Sequence, residues 1–271
     1  MARRPAAVRG TGAAPGSGAA PGRDHHQGGV QVISRVTAIL RALADAPSGL
    51  GIAELSRIVG LPRSTVYRIV ATLADDGFVT NGTGRRGLRL GPELAHLAAA
   101  AQRGLAEAAH PHMEKMANNM NETVDLAVFQ HGQVRFVDQV VGNQRLRAEV
   151  VIGELFPAYC TANGKAFLAA LPDQSLDAAL AATPLIRRTP HTVVRQAELR
   201  RQLDEIRETG VAFDREEHTP QICAVGAVIR DQLGRVAAAI TIATPAARFY
   251  GREAELAAVL LDGKEQVEAS L

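Results

Sequence analysis

Residues 61–77 combine an apolar stripe with a dense set of hydrogen-bond donors, a combination suited to an anionic groove. Val66, Ile69, Val70 and Leu73 recur at the spacing of one helical face. The other faces carry arginines and hydroxyl groups, and the first carboxylate is that of Asp75. This pattern is typical of the recognition helix of a helix-turn-helix. The candidate DNA contacts are Arg63, Ser64, Thr65, Tyr67, Arg68 and Thr72.

Two helical patterns precede this stretch and a β-hairpin pattern follows it. Apolar residues recur at helical spacing over 34–44, with Ile33 just before, and over 52–59, and Gly-Leu-Pro at 60–62 forms the turn. Residues 78–80 and 88–90 are typical of two short strands joined by a glycine-rich loop. A hairpin in this position is a wing, and its tip would place Arg85 and Arg86 on phosphate or in a minor groove. An ordinary solvated loop is the alternative.

The net charge of +2 conceals two halves of opposite charge. Residues 1–91 carry twelve arginines and five acidic residues, whereas the remainder carries eighteen basic and twenty-three acidic residues. Such asymmetry indicates a nucleic-acid-binding half joined to a half with another role. Residues 1–29 are rich in Gly, Ala and Pro and are predicted to be disordered.

The pattern changes after the wing. Residues 92–119 favour one long helix, suited to connecting two domains and to packing against a second copy. Beyond it, predicted strands alternate with helices, which indicates an α+β domain. The predicted fold class is therefore multidomain, α followed by α+β. The predicted boundaries are a tail (1–29), a winged helix-turn-helix (30–91), a connector helix (92–120) and an effector-binding and oligomerisation domain (121–271).

The sequence resembles the IclR family of bacterial transcriptional regulators from about residue 31 to its end. Residues 60–69 and 88–91 resemble the family's recognition-helix and wing motifs, and residues 156–166, 188–192 and 207–218 resemble motifs of its effector domain. The resemblance implies a GAF-like ligand-binding domain, dimeric DNA-binding units and often a dimer of dimers. The partners it implies are double-stranded operator DNA and a small-molecule effector.

The effector site is predicted from both the residues and the resemblance. Small residues at 162–164 open a helix, and the free N–H groups of such a start suit a carboxylate. The resemblance implies further pocket residues from the strands, which include the end of the strand at Asp214. The full set of candidates is Tyr159, Ala162, Asn163, Gly164, Asp214, Cys223, Ala224, Thr241 and Ala243. Gly164 as a packing residue and Asp214 as a cap are the simpler alternatives.

Two departures from the family pattern concern the ligand. The position where relatives that bind small oxoacids carry a cysteine is Ala224, with Cys223 one place earlier and so on the opposite strand face. A second polar strand position is Ala243. Losing polar groups at two pocket positions favours a more apolar effector, such as an aromatic or branched acid.

Three functions remain open at this point. The first is a ligand-responsive transcriptional regulator, a repressor or activator of a catabolic operon. The second is a DNA-binding protein with a thiol-dependent hydrolase domain, built on Cys160 near Lys165 with His191 or His218. The third is a DNA-binding protein without a ligand. The sequence has no metal-spaced cluster and no membrane-length apolar run, so we expect no metal, no cofactor, no membrane and a cytoplasmic protein that is not an enzyme.

Overall fold

The computed structural model describes residues 24–46, 48–81, 87–130 and 132–271. It divides into two compact units, the first extending to Leu97 and the second from Ala98 to Leu271. This division agrees with the multidomain α plus α+β fold class expected from the sequence.

The first unit is a winged helix-turn-helix. Its elements are α1 (Asp24–Ala44), α2 (Ile52–Val59), α3 (Arg63–Asp75), β1 (Val79–Asn81), β2 (Leu88–Leu90) and the start of α4 (Glu93–Met120). Ile39, Leu55 and Val66 are fully buried where the three helices meet. The wing strands β1 and β2 pair antiparallel, with Val79 opposite Leu90. The helix-turn-helix order and the two wing strands are as predicted.

The first helix differs from the prediction at its start. Helix α1 begins at Asp24 rather than near residue 34, so six residues of the segment predicted to be disordered are helical. Residues 24–29 contain no apolar side chain, which is why hydrophobic periodicity could not detect a helix there. The rest of the predicted tail lies outside the described residues. Ile33 is 68% exposed, and Ile39 is buried with Leu43 instead.

The second unit is a six-stranded antiparallel sheet flanked by helices. Its strands are β3 (Thr123–Gln130), β4 (Gln133–Val140), β5 (Leu155–Pro157), β6 (Ala212–Arg215), β7 (Ile222–Arg230) and β8 (Val236–Pro245). Besides the rest of α4, its helices are α5 (Ala162–Ala170), α6 (Asp173–Ala182), α7 (Gln196–Thr209), α8 (Ala246–Phe249), α9 (Glu253–Ser270) and a 3-10 turn at Ala158–Cys160. The strand order is β5-β4-β3-β8-β7-β6. The sequence did not predict β5, α8 or the 3-10 turn, which are too short to show a period.

The two faces of this sheet pack against different helices. On one face, Val124 and Leu126 of β3 join the core that α4 and α9 complete with Met113 and Leu260. Asp125, between them in sequence, belongs to the other face because successive residues of a strand alternate. That second face carries α5 and the cavity described below. No helix in the described part of the chain is long and apolar enough to cross a lipid bilayer.

Candidate nucleic-acid interface and small-molecule pocket

A tight turn presents α3 to solvent. Gly60 ends α2 in a left-handed conformation with φ 67°, which glycine adopts without strain. Two hydrogen bonds between Ser56 and Leu61 also stabilise the turn. The Ser56 hydroxyl donates to the carbonyl of Leu61 at 2.6 Å, and the Leu61 N–H donates to the carbonyl of Ser56 at 3.2 Å. Pro62 then caps α3. The turn between the two helices is thus fixed by contacts of Gly60, Ser56 and Leu61, which do not involve the side chains of α3.

The outer face of α3 carries the predicted donors. Val66, Val70 and Leu73 are buried on its inner face. Five of the predicted contact residues are exposed, and Thr65 is half-buried; the exposed ones are Arg63, Ser64, Tyr67, Arg68 and Thr72. Tyr67 is 64% exposed, so its ring and hydroxyl are accessible to a partner. Neither arginine forms an ion pair with a described residue, so both charges are available to an anion.

A concave surface beside α3 adds one residue that the sequence did not single out. Arg35 of α1 lines a cavity of about 370 Å³ together with Thr65, Arg68 and Thr72. Hydrophobic periodicity assigned this part of α1 only to the core. The arginines predicted at the wing tip, Arg85 and Arg86, lie outside the described residues.

The second unit has a cavity of about 270 Å³ between the sheet and the start of α5. Six predicted effector residues line it, and these are Ala162, Asn163, Asp214, Ala224, Thr241 and Ala243. Its volume is just below the range of about 300–1,000 Å³ that drug-sized ligands occupy, which indicates a small metabolite. Much of the wall is apolar, with contributions from Phe136, Phe156, Val150 and Ile222.

The strand register explains why these residues meet. Asp214 of β6 lies opposite Ala224, which lies opposite Ala243. Two residues further along the same face, Gly226 lies opposite Thr241. A Cβ atom on Gly226 would lie only 2.9 Å from the backbone nitrogen of Asn163, so glycine lets α5 start directly on the sheet.

Three predicted effector residues do not line the cavity. Tyr159 turns away and exchanges two hydrogen bonds with the backbone of Ile186, at 2.7 and 3.1 Å. Gly164 permits close packing, because a Cβ atom there would lie 2.3 Å from Cα of Ala158. Cys223 is buried in the core on the opposite face of the sheet, as its one-residue offset from Ala224 requires.

Asp214 acts as a cap as well as a wall. Its Oδ1 accepts a hydrogen bond from the backbone N–H of Glu217 at 2.7 Å and thereby closes the loop after β6. Burial, together with the neighbouring charge of Glu217, raises the pKa of Asp214 to about 7, although Lys165 partly opposes the rise. The carboxyl thus shapes the loop from which His218 and Thr219 reach the cavity.

A buried ion pair supports the same loop from behind. Lys165 of α5 is 2% exposed and donates to Oε1 of Glu217 and, at 2.9 Å, to Oε1 of Gln202 on α7. Thr192 donates from its hydroxyl to the carbonyl of Glu217 at 2.6 Å. The loop is consequently attached to α5, to α7 and to the segment before α7. The sequence did not suggest this network, because its members are separated by up to 52 positions.

Several lining residues were missed by the sequence analysis. They are Asp125, Thr161, Arg147, Glu149, Phe156 and His218. Arg147 lies at the mouth, where its Nε donates to Glu149 at 2.7 Å. These residues belong to four different chain segments. Only the position of Phe156, Thr161 and His218 inside family-like motifs could have drawn attention to them.

The environments of Cys160 and His218 are unfavourable for the thiol chemistry considered above. Cys160 is fully buried, and burial raises the pKa of its thiol to about 12, with the charge of Asp214 adding to the rise. Its sulfur points to the carbonyl of Pro157 at 4.0 Å. His218 stacks on Phe156 with ring centroids 4.1 Å apart, and burial lowers its pKa to about 4. A protonated thiol at neutral pH is a weak nucleophile.

Comparison with known proteins covers both units. Residues 32–82 match the model of the IclR helix-turn-helix domain, and residues 97–269 match that of the bacterial transcriptional regulator IclR C-terminal domain. The HTH-type transcriptional regulator Rv1719 of Mycobacterium tuberculosis is 45% identical over 247 residues, which cover 91% of this chain and 95% of that protein.

Two further relatives extend the comparison. The HTH-type transcriptional regulator TtgV of Pseudomonas putida is 37% identical over 245 residues, covering 90% of this chain and 93% of its own. Among solved structures, an IclR homologue from Microbacterium hydrocarbonoxydans, crystallised with 4-hydroxybenzoate, has the same fold. It aligns with a TM-score of 0.59 at 24% identity, covering 89% of this chain and 98% of its own.

Proposed function

The chain belongs to the IclR family of bacterial transcriptional regulators, and we propose that α3 reads operator DNA in the major groove. It is a DNA-binding transcriptional regulator. We propose that it responds to a small-molecule ligand, a proposal supported by the homologue complexed with 4-hydroxybenzoate. The observation that carries the proposal for α3 is its outer face, where exposed Arg63 and Arg68 have no described carboxylate partner. In this proposal the hydroxyls and Tyr67 contact phosphates and thymine methyl groups.

Two copies of α3 would lie in successive major grooves of a pseudo-palindrome. This arrangement requires a homodimer, and we propose a dimer of dimers with α4 among the contacts between copies. Arg85 and Arg86 at the wing would reach the flanking backbone or minor groove. We place the protein in the cytoplasm with its operator DNA and propose that it is not an enzyme. The thiol-hydrolase alternative is disfavoured because Cys160 is buried and burial raises the pKa of its thiol to about 12.

We propose that the cavity of the second unit holds an apolar organic acid. The N–H groups at the start of α5 support this choice. The backbone N–H of Gly164 donates to Asn163 Oδ1 at 2.9 Å, and the backbone N–H of Lys165 donates to the carbonyl of Thr161 at 2.9 Å. No acceptor within the described chain lies on the N–H groups of Ala162 and Asn163, so both are available to a carboxylate. Ala224 and Ala243, buried in the wall, leave two strand positions of the cavity without a polar side chain.

The function is tested by measuring operator affinity with and without candidate acids. We expect an aromatic acid such as 4-hydroxybenzoate, which the Microbacterium homologue binds, to change the affinity of the full chain for its operator. By linkage, operator DNA must change the affinity for that acid by the same factor. Glyoxylate and pyruvate serve as the comparison ligands, because they are small acids without an aromatic or branched group. Tight binding of these two with no binding of aromatic or branched acids would show that the proposed ligand class is wrong.

Arg68 provides the test of the DNA interface. Arg68→Ala should weaken operator binding by about 1–3 kcal/mol if the guanidinium reads a guanine. Arg201 of α7, which belongs to the second unit and whose side chain is 68% exposed, gives a matched control, and Arg201→Ala should leave operator affinity unchanged. Both are measured by fluorescence anisotropy with a labelled operator at one fixed salt concentration. Unchanged affinity and specificity in Arg68→Ala would remove this residue from the interface.

A further inference from the structure

One carboxyl group in the cavity has no role in the arguments above. Asp125 of β3 is 2% exposed and lines the cavity. Its only hydrogen bond from a described residue comes from Gln139 Nε2 to Oδ1 at 2.6 Å, which leaves Oδ2 without a protein donor. A buried carboxyl with an open oxygen is costly unless a further donor reaches it.

A second unpaired polar group lies beside it. Thr241 of β8 is directly opposite Asp125 in the antiparallel register of β3 and β8. Its side chain is 4% exposed, and its Oγ1 has no hydrogen-bond partner in the described structure. Directly opposed side chains have Cβ atoms about 4.5–5.5 Å apart. The cavity therefore contains, side by side, a buried carboxyl with one oxygen open to a donor and a buried hydroxyl without a partner among the described residues.

Asp214, the other buried carboxyl of the cavity, differs in this respect. Its Oδ1 accepts the N–H of Glu217, and it lies beside the charge of Lys165. It is thus used by the protein itself. Glu149, a third carboxyl at the cavity, is at the mouth, half exposed and bound to Arg147. Asp125 alone is buried, uncompensated by a cation and open to a ligand.

We propose that Asp125, with Thr241 beside it, binds a hydrogen-bond-donating substituent of the effector, a hydroxyl or an amino group. This inference rests on the proposed effector function of the cavity and specifies the ligand class. The ligand is an aromatic acid that carries a donor on the side of the ring away from its carboxylate. A buried acceptor of this kind discriminates because an analogue without the donor leaves it unpaired.

The sheet geometry fits such a molecule. The start of α5 rests on Gly226 of β7, Thr241 is on the next strand, and Asp125 is on the strand after that. Two strand spacings amount to about 10 Å between backbones. The N–H groups of α5 at one end and the carboxyl of Asp125 at the other shorten the gap that a ligand must span. An aromatic ring with an acid on one side and a donor on the other spans this gap. Phe136 and Phe156 supply apolar walls for the ring.

The test compares ligands matched in size in the full-length protein. Calorimetry measures the affinities of 3- and 4-hydroxybenzoate, 4-aminobenzoate, and 3- and 4-methylbenzoate, the last two being similar in shape but without a donor. We expect the better hydroxybenzoate to bind about tenfold or more tightly than the methylbenzoate of the same substitution pattern. The affinities of 4-hydroxybenzoate and 4-aminobenzoate show whether Asp125 prefers a hydroxyl or an amino group as the donor.

The variants assign the preference to Asp125. Asp125→Ala should reduce the hydroxyl-to-methyl affinity ratio to about one without weakening methylbenzoate binding, and Thr241→Val should reduce it several-fold. Glu149→Gln, which removes a carboxylate at the mouth, should leave the ratio unchanged. Thermal melts without ligand check that each variant is folded, and Thr241→Val, nearly isosteric, keeps the test open if Asp125→Ala does not fold.

The outcomes separate this inference from the proposed function. If methyl- and hydroxybenzoates bind the natural protein equally and both change operator affinity, the inference about Asp125 is wrong and the effector function stands. An unchanged ratio in Asp125→Ala and Thr241→Val would also overturn it. If none of these acids binds, the proposed ligand class fails and the inference fails with it.

Discussion

Lys165→Met is expected to lower the free energy of unfolding of the second unit by about 3–5 kcal/mol. The substitution keeps most of the side-chain volume but leaves the carboxylate of Glu217 buried without its cation. Glu217 is 4% exposed, and its Oε2 has no hydrogen-bond partner among the described residues. Urea unfolding followed by circular dichroism measures the effect, since the chain has no tryptophan to report by fluorescence.

Two further variants sharpen this prediction. Lys264→Met removes a partly exposed lysine from its pair with Glu268 and should cost less than about 1 kcal/mol. The double variant Lys165→Met with Glu217→Gln should recover at least half of the loss, because it leaves no unpaired charge. A loss below about 1 kcal/mol in Lys165→Met alone would mean that Glu217 does not depend on Lys165 for its burial.

The pair also connects stability with ligand response. The loop from Glu216 to Thr219 forms one wall of the cavity, and its position depends on Asp214 inside the cavity and on Lys165 behind it. A ligand that alters the environment of Asp214 therefore acts on a loop that α5 and α7 hold in place. A bound effector could thus change the contacts of this loop with α5 and α7.

The sequence predicted those elements whose burial has a clear period. Residues 196–209 are predicted to be helical from the sequence, and α7 has these bounds, with Leu199, Leu203 and Ile206 buried on one face and Gly210 as its cap. In α3, the buried residues belong to the predicted apolar stripe, and the exposed face is therefore the one predicted to carry the arginines and hydroxyl groups. Ala224 and Thr241 were pocket candidates because of the family resemblance, and both line the cavity.

The rest of the pocket depends on contacts between distant segments. Asp125 lies within an apolar run whose two faces are both buried, so its neighbours in sequence do not reveal that it faces a cavity. Its partner Thr241 is brought beside it only by the pairing of β3 with β8. Arg147 belongs to an irregular segment between β4 and β5 and has no periodic signal. Gly164 satisfied a plausible pattern for an anion site, but steric packing against Ala158 explains it.

Asp125→Asn is expected to stabilise the ligand-free protein by an amount that increases with pH. Burial raises the pKa of Asp125 from 3.8 to about 7, and the hydrogen bond from Gln139 only partly opposes this. Between these two pH values the folded state holds a proton that the unfolded state has released, so the natural protein loses stability as pH rises through this window. The change in pKa corresponds to about 4 kcal/mol at most above pH 7. Asparagine does not ionise and escapes this loss.

Melts at pH 4.5, 6 and 8 without ligand measure the difference between Asp125→Asn and the natural protein. The advantage of the variant should be small at pH 4.5 and largest at pH 8, because every other titrating group is common to both proteins. Asp231→Asn is the control, since hydrogen bonds from Arg235 lower the pKa of that exposed carboxyl below its ordinary value of 3.8. Its contribution changes only below that pH, so the difference between Asp231→Asn and the natural protein should stay constant from pH 4.5 to 8. For Asp125→Asn, a difference that stays constant from pH 4.5 to 8 would mean that Asp125 ionises near its ordinary pKa. In that case the cavity would have to supply water or another donor to the oxygen that we assign to the effector.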